Sequence, residues 1–317
     1  MTYPRAISIN EEGPREGFQA EPRFIATELK LALIDALGQT GLKRIVVTSF
    51  ANPERVPSMR DAEELVARLE RRPGVRYSAI WLNQRGLQRA VDTGRLDLEG
   101  TLGLTASEAF LQRNQRRTAK EDIAAARASA QAYEALDIPV TRLGIMAAFG
   151  CNYMGSISVE HVLQQVDTLV EIATERCLPV SRLTLADTMG WANPQAIKRL
   201  VGAVQDRHPQ LAIALHLHDT RGLGIANAYA GLEMGIAEFD ASIGGVGGCP
   251  FAGPNAAGNI ATEALAFLCA EMGIDTGLDL ASLIDAAQLA ERIFERPLPC
   301  TLSRIGANAL RLARTAQ

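Results

Sequence analysis

His216 and His218, two of only four histidines in the 317-residue chain, stand two apart at the end of the apolar run AIALHLHD. Side chains two apart on a strand face the same way, so both imidazoles reach one point. Such a pair suits a first-row divalent cation; two polar residues satisfied at a strand end are the plainer alternative. Arg15 and Glu16, within Gly13-Pro14-Arg15-Glu16-Gly17, offer a carboxylate to the same kind of ion and a guanidinium to an enolate or carboxylate oxygen. A surface ion pair is the alternative there. Cys249 follows Gly244-Gly245-Val246-Gly247-Gly248, where glycines let the backbone approach a ligand and a thiol can serve as acid or base. A buried, inert thiol is the competing reading, and it is the reading given to Cys177 and Cys269, which fall in helical patterns. Asp187 closes a further strand-like run. The segment Asn255 to Asn259, NAAGN, opens the last barrel helix, with an amide oxygen as ligand or as N-cap.

The elements that must position these residues alternate along nearly the whole chain. Strand-like runs are read at Ala6 to Glu12, Arg44 to Phe50, Val75 to Leu82, Leu98 to Thr105, Thr141 to Gly150, Arg182 to Thr188, Ala212 to Asp219 and Glu238 to Gly248. Apolar stripes at helical spacing lie between them, at Ile25 to Leu37, Val159 to Ala173, Ala196 to Val204 and Ile225 to Met234. Eight such units predict an α/β fold, a (β/α)8 barrel, with its chemistry at the C-terminal ends of the strands. A doubly wound open sheet would carry a Gly-rich phosphate turn after the first strand, and the turn from Gly13 to Gly17 does not match that fingerprint. A last helical stretch, Leu280 to Phe294, is stopped by Pro297-Leu298-Pro299. The expected organisation is a barrel over residues 1–278 and a short C-terminal helical extension over residues 279–317.

Composition narrows the function classes. Hydrophobic residues make up 47%, charged residues 21%, and the net charge is -4 with no basic block. Nucleic acid is therefore not an expected partner, and no apolar stretch has the length of a membrane span. Five widely spaced cysteines without a CxxC pair, and no apolar leader after Met1, point to a reducing, cytoplasmic setting rather than a disulfide framework.

Several motifs stand in order. GPREGFQ, residues 13–19, looks like GPRDGLQ; TSFANPERVPSM, residues 48–59, looks like TSFVSPKWVPQM; ADTMG, residues 186–190, is similar to GDTIG; and HLHDT, residues 216–220, fits HxHDT. GGVGGCPFAGPNAAGNIATE, residues 244–263, resembles a glycine-rich catalytic-cysteine signature. Together, over roughly Ile9 to Gly277, the chain resembles the 3-hydroxy-3-methylglutaryl-CoA lyase family. The resemblance implies a barrel with a divalent metal, Mg²⁺ or Mn²⁺, held by Glu16, His216, His218 and Asn259. It implies catalytic roles for Arg15, Cys249 and Asp187, with His216 a candidate base. It further implies an acyl-CoA thioester as substrate, cleaved to acetyl-CoA and a keto acid, and a homo-oligomer, dimer or tetramer.

The chain departs from the family pattern at two positions. Glu16 stands where the family has Asp, and Val46 stands where the family's second strand carries an acid in IExTSF. Glu12 is an extra acid in the first strand, but neighbouring strand residues face opposite ways, which weighs against its replacing the missing group. These departures predict an altered substrate, such as a citramalyl-type ester. The competing functions are a transferase condensing acetyl-CoA with a keto acid, and a non-catalytic relative that binds a CoA ester.

Overall fold

In the computed structural model, which describes residues 3–253 and 257–306, eight strands of four or more residues form at the eight strand-like runs. They are β1 Ser8–Glu11, β2 Arg44–Ser49, β3 Arg76–Ile80, β4 Gly100–Thr105, β5 Val140–Met146, β6 Arg182–Asp187, β7 Ala212–Leu217 and β8 Glu238–Ala241. The eighth is much shorter than its sequence reading. After Ala241 the glycine-rich run leaves the strand as a 3-10 turn, Ile243–Gly245, whose Gly244 and Gly245 have left-handed φ of 66° and 75°. Asn255 lies outside the described residues.

The described chain divides into two compact units. One contains residues 98–239 with 3–4 and 249–253. The other contains residues 5–97, 240–248 and 257–306. In the first, β4 to β7 run parallel in the order β7-β6-β5-β4, with Leu183, Leu185 and Asp187 on the buried face of β6. Ala186 of β6 sits in register with His216 of β7. Helices Val159–Glu175, Pro194–Arg207 and Gly224–Glu233 cover these strands, each with an apolar stripe on its buried side. A small antiparallel pair, Gly150–Cys151 with Gly155–Ser156, follows β5.

In the second unit β1, β2 and β3 are parallel, and β2 is buried at every position after Arg44. Such a continuous apolar run is what a strand covered on both faces requires. Asp240 and Ala241 of β8 belong to this unit, next to β1, where the Asn10 amide donates to Asp240 at 2.9 Å. Helix Leu280–Phe294 forms as read from the sequence and packs on helix Thr27–Gly38. No described helix is long and apolar enough to cross a membrane.

Candidate active site

Arg15 and Glu16 do not lie in a turn after the first strand, as Gly13 to Gly17 was read. They form the first turn of helix Gly13–Ala20. Pro14 at the start of a helix costs nothing, since its missing N–H is one the helix leaves unpaired anyway, and a first-turn Glu16 complements the positive helix end. Arg15 is clamped by two carboxylates, Glu12 at 2.5 Å and Glu16 at 2.8 Å, all three side chains being 15% exposed or less. Burial works against the Arg15 charge, but Glu16, Glu12 and Asp240 more than offset it and hold the guanidinium above its usual pKa. Glu12 therefore turns to the same side as Arg15. The strand alternation applied to Glu12 in the sequence does not hold there, because Glu12 is past the end of β1, in helical backbone geometry at the helix N-cap.

Glu11, which the sequence reading passed over, is fully buried. Its carboxyl accepts from the backbone N–H of Gly13 at 2.7 Å and of Ile243 at 2.8 Å, and from the Thr262 hydroxyl at 2.5 Å. Burial pushes its pKa up to about 8, against the opposing pull of these donors. Glu263, equally buried, accepts from the Gly244 N–H at 3.0 Å. Two buried carboxyls thus hold successive amides of the glycine-rich turn. The signal for both was present in sequence: each is an acid inside a quoted motif or its flank. Gly247, with φ of 89°, brings the turn onto Glu16; a Cβ there would meet the Glu16 Cβ at 2.5 Å.

Asn259 does not open a helix. The last barrel helix begins at Thr262, and Asn259 precedes it, so capping is not its role. Its side chain is 1% exposed; Nδ2 donates to Glu16 Oε2 at 2.5 Å and to the Val246 carbonyl at 3.3 Å. Its Oδ1 is buried without a hydrogen-bond partner. An unmet buried amide oxygen beside a carboxylate is costly unless something electropositive meets it, and this is the donor set a hard divalent cation takes.

In the first unit His216 and His218 do face one point. Their Nε2 atoms are 3.1 Å apart, with ring planes inclined at 55°. Two nitrogens bound at about 2.1 Å and at a right angle to one cation would be about 3.0 Å apart. The pair fits a cation without rearrangement. Asp187 is fully buried, and both its oxygens accept backbone N–H groups, from Trp191 at 2.7 Å and Ala192 at 3.0 and 3.1 Å. Burial raises its pKa to about 6, opposed by those amides, Arg221 and His216. Its contacts hold the turn after β6 in shape.

Cys249 is half-buried. It packs with Phe251, Ala252 and Trp191 on a cluster formed by Phe110, Ala147, Cys151 and Met189. Its carbonyl accepts from the Ala252 N–H at 2.9 Å, closing a turn. Cys269 is buried in helix Thr262–Glu271 as expected, but Cys177 is exposed in a turn with φ of 51°, just beyond helix Val159–Glu175. The apolar stripe that suggested a core thiol stops at Ala173.

Residues 6–290 match the model of the HMGL-like family. The chain belongs to that family. It is 38% identical over 299 residues to hydroxymethylglutaryl-CoA lyase YngG of Bacillus subtilis, covering 94% of this chain and 97% of that protein. It is 35% identical to the (R)-citramalyl-CoA lyase of Chloroflexus aurantiacus, covering 95% of each. The solved structure of an HMG-CoA lyase from Acinetobacter baumannii, in complex with coenzyme A and 3-methylmalate, superposes with a TM-score of 0.86 at 34% identity over 97% of each chain. The fold is accordingly the α/β class, the (β/α)8 barrel of these HMGL-like enzymes.

Proposed function

We propose that this HMGL-like chain is a metal-dependent carbon–carbon lyase that splits a 3-hydroxyacyl-CoA thioester into acetyl-CoA and a keto acid. The observation that carries the reading is the His216–His218 pair, with Nε2 atoms 3.1 Å apart at the end of β7. Imidazoles at that spacing, with the carboxylate of Glu16 and the open amide oxygen of Asn259 as the remaining donors, suit Mg²⁺ or Mn²⁺. Such a cation, when bound, lowers the pKa of a coordinated hydroxyl.

The chain's own residues supply the rest. In this reading the Glu16 carboxylate takes the proton of the substrate 3-hydroxyl, because the Nε2 of His216, the other candidate base, is committed to the cation. The bond between C2 and C3 breaks, C3 becomes the carbonyl of the keto acid, and the electron pair passes to C2. Arg15, fixed by its two carboxylates, holds the thioester oxygen on which the enolate charge develops. The Cys249 Sγ–H delivers a proton to C2 and completes acetyl-CoA. Asp187 keeps the turn after β6 in shape beside His216.

The acyl group is inferred from a departure from the family pattern. Val46 is 3% exposed in β2, so the acid of the family's second strand is replaced by an isopropyl group. Losing a polar contact beside a reacting centre costs about 1–3 kcal/mol and shifts preference between substrates. A citramalyl-type ester is therefore the expected substrate, and 3-hydroxy-3-methylglutaryl-CoA a poorer one. The test is a panel of 3-hydroxyacyl-CoA esters incubated with Mn²⁺-loaded protein, with acetyl-CoA read by mass spectrometry and kcat/KM compared. Equal efficiency toward the 3-hydroxy-3-methylglutaryl ester would refute the substrate assignment. Product formed only from acetyl-CoA plus a keto acid would make the chain a condensing transferase.

A further inference from the structure

The turn that carries Cys249 is held by a residue with no part in the chemistry above. The Asn152 side chain, in the loop between the two short strands after β5, donates through Nδ2 to the carbonyls of Phe251 at 3.2 Å and Ala252 at 3.0 Å. Its Oδ1 accepts the indole N–H of Trp191 at 2.9 Å. The Trp191 backbone N–H in turn donates to Asp187 at 2.7 Å, and the Arg221 guanidinium stacks 4.0 Å over the indole ring. Phe251 seats its ring edge-on against Phe110, with centroids 5.6 Å apart. A single amide thus joins three segments: the loop after β5, the turn after β6 anchored by Asp187, and the Cys249 turn.

The geometry points to Asn152 as a positioning residue for Cys249, working with Trp191 to fix where the thiol sits when it delivers its proton. This rests on the proposed role of Cys249. The physical argument is one of donors and acceptors. An Asn side chain has an oxygen that accepts and a nitrogen that donates twice, and here both donors are used on two carbonyls while the oxygen accepts an indole N–H. No other side chain of that length offers the same set. Asp would keep the acceptor and set a negative charge against two carbonyl oxygens; Leu would remove every bond at nearly constant size. The turn would retain its apolar packing through Phe251 but lose what sets its orientation. A thiol displaced by about 1 Å from a reacting carbon loses on the order of 100-fold in rate.

The experiment separates position from chemistry. In a Cys177→Ser background, which removes the exposed thiol outside the site, the rate of alkylation of Cys249 by iodoacetamide is measured for the parent, Asn152→Leu, Asn152→Asp, Asn152→Gln and Trp191→Phe. Mass spectrometry locates the label. Asn152→Leu and Asn152→Asp are expected to label about tenfold faster, the size of one or two lost hydrogen bonds, with kcat falling at least as much and KM moving little. Asn152→Gln, which keeps the amide, should restore a substantial part of both. Trp191 emission should shift in Asn152→Leu, since its N–H loses its acceptor. Unchanged labelling and emission in Asn152→Leu would overturn the proposal, as would faster labelling with kcat intact while Cys249→Ala is inactive. A fully active Cys249→Ala would instead overturn the role given to Cys249; labelling and emission then still decide whether Asn152 fixes the turn.

Discussion

The Arg15 guanidinium is held by opposite charges, Glu12 at 2.5 Å and Glu16 at 2.8 Å. The Cys249 turn is held by an amide, an indole and an edge-on aromatic pair. The two regions teach different things about how a site is made rigid. A buried charge cluster is stable only when complete, because each member balances the desolvation of the others. A neutral relay of hydrogen bonds and apolar contacts loses its parts one at a time, about 1 kcal/mol each. Damage to the first should therefore appear as instability, and damage to the second as lost turnover in a folded protein.

The largest expected effect falls on the neutral side. Cys249→Ala should lower kcat by about 100-fold or more, the usual worth of a positioned proton donor, while changing unfolding free energy by no more than about 1 kcal/mol. Turnover and urea unfolding of the same preparation check both halves. Activity near that of the parent would make the thiol a packing residue.

On the charged side, Arg15→Gln leaves Glu12 and Glu16 without their shared cation. Unfolding free energy should drop by about 2–4 kcal/mol, somewhat under the cost of breaking a fully buried pair because these side chains are up to 15% exposed. A neutral result in urea would mean that the cluster is solvated and the contrast between the regions fails.

A smaller, pH-dependent effect sharpens the comparison. Glu11 keeps its proton to about pH 8 in the fold but loses it near 4.5 when unfolded. The unfolded state thus binds fewer protons between these values, and stability falls as pH rises from about 4.5 to about 8. Glu11→Gln retains an acceptor for the Gly13 and Ile243 amides and removes the ionisation. Its stability relative to the parent should improve steadily across that window. A constant difference between the two proteins would show that Glu11 ionises normally.

Much of this architecture was legible in sequence because periodicity reports burial. All eight strands form where alternating or apolar runs place them, and helix Leu280–Phe294 coincides with its reading. The errors cluster where glycine and proline were read as breakers. Gly13-Pro14 opens a helix rather than a loop, and the glycines after Ala241 end β8 instead of extending it. Strand alternation was applied to Glu12 in sequence, but Glu12 stands one residue past the end of β1, at the helix N-cap. That the two imidazoles converge on one point was legible from a two-residue spacing, and their ring nitrogens are 3.1 Å apart. Asn152 and Trp191 were not, since a relay between loops has no spacing in the sequence; only the fold brings residues 152, 191 and 251 together.

The proposed lyase reaction requires one divalent cation, for which Glu16, His216, His218 and Asn259 are the proposed ligands. Metal content per chain, measured by elemental analysis after Mn²⁺ loading and desalting, tests it most directly in the parent and in the double variant His216→Ala/His218→Ala. The parent should retain about one equivalent and release acetyl-CoA from a citramalyl-type ester. The variant should retain essentially none and be inactive, with its fold intact by circular dichroism. A folded double variant that keeps the parent's metal content would contradict the account.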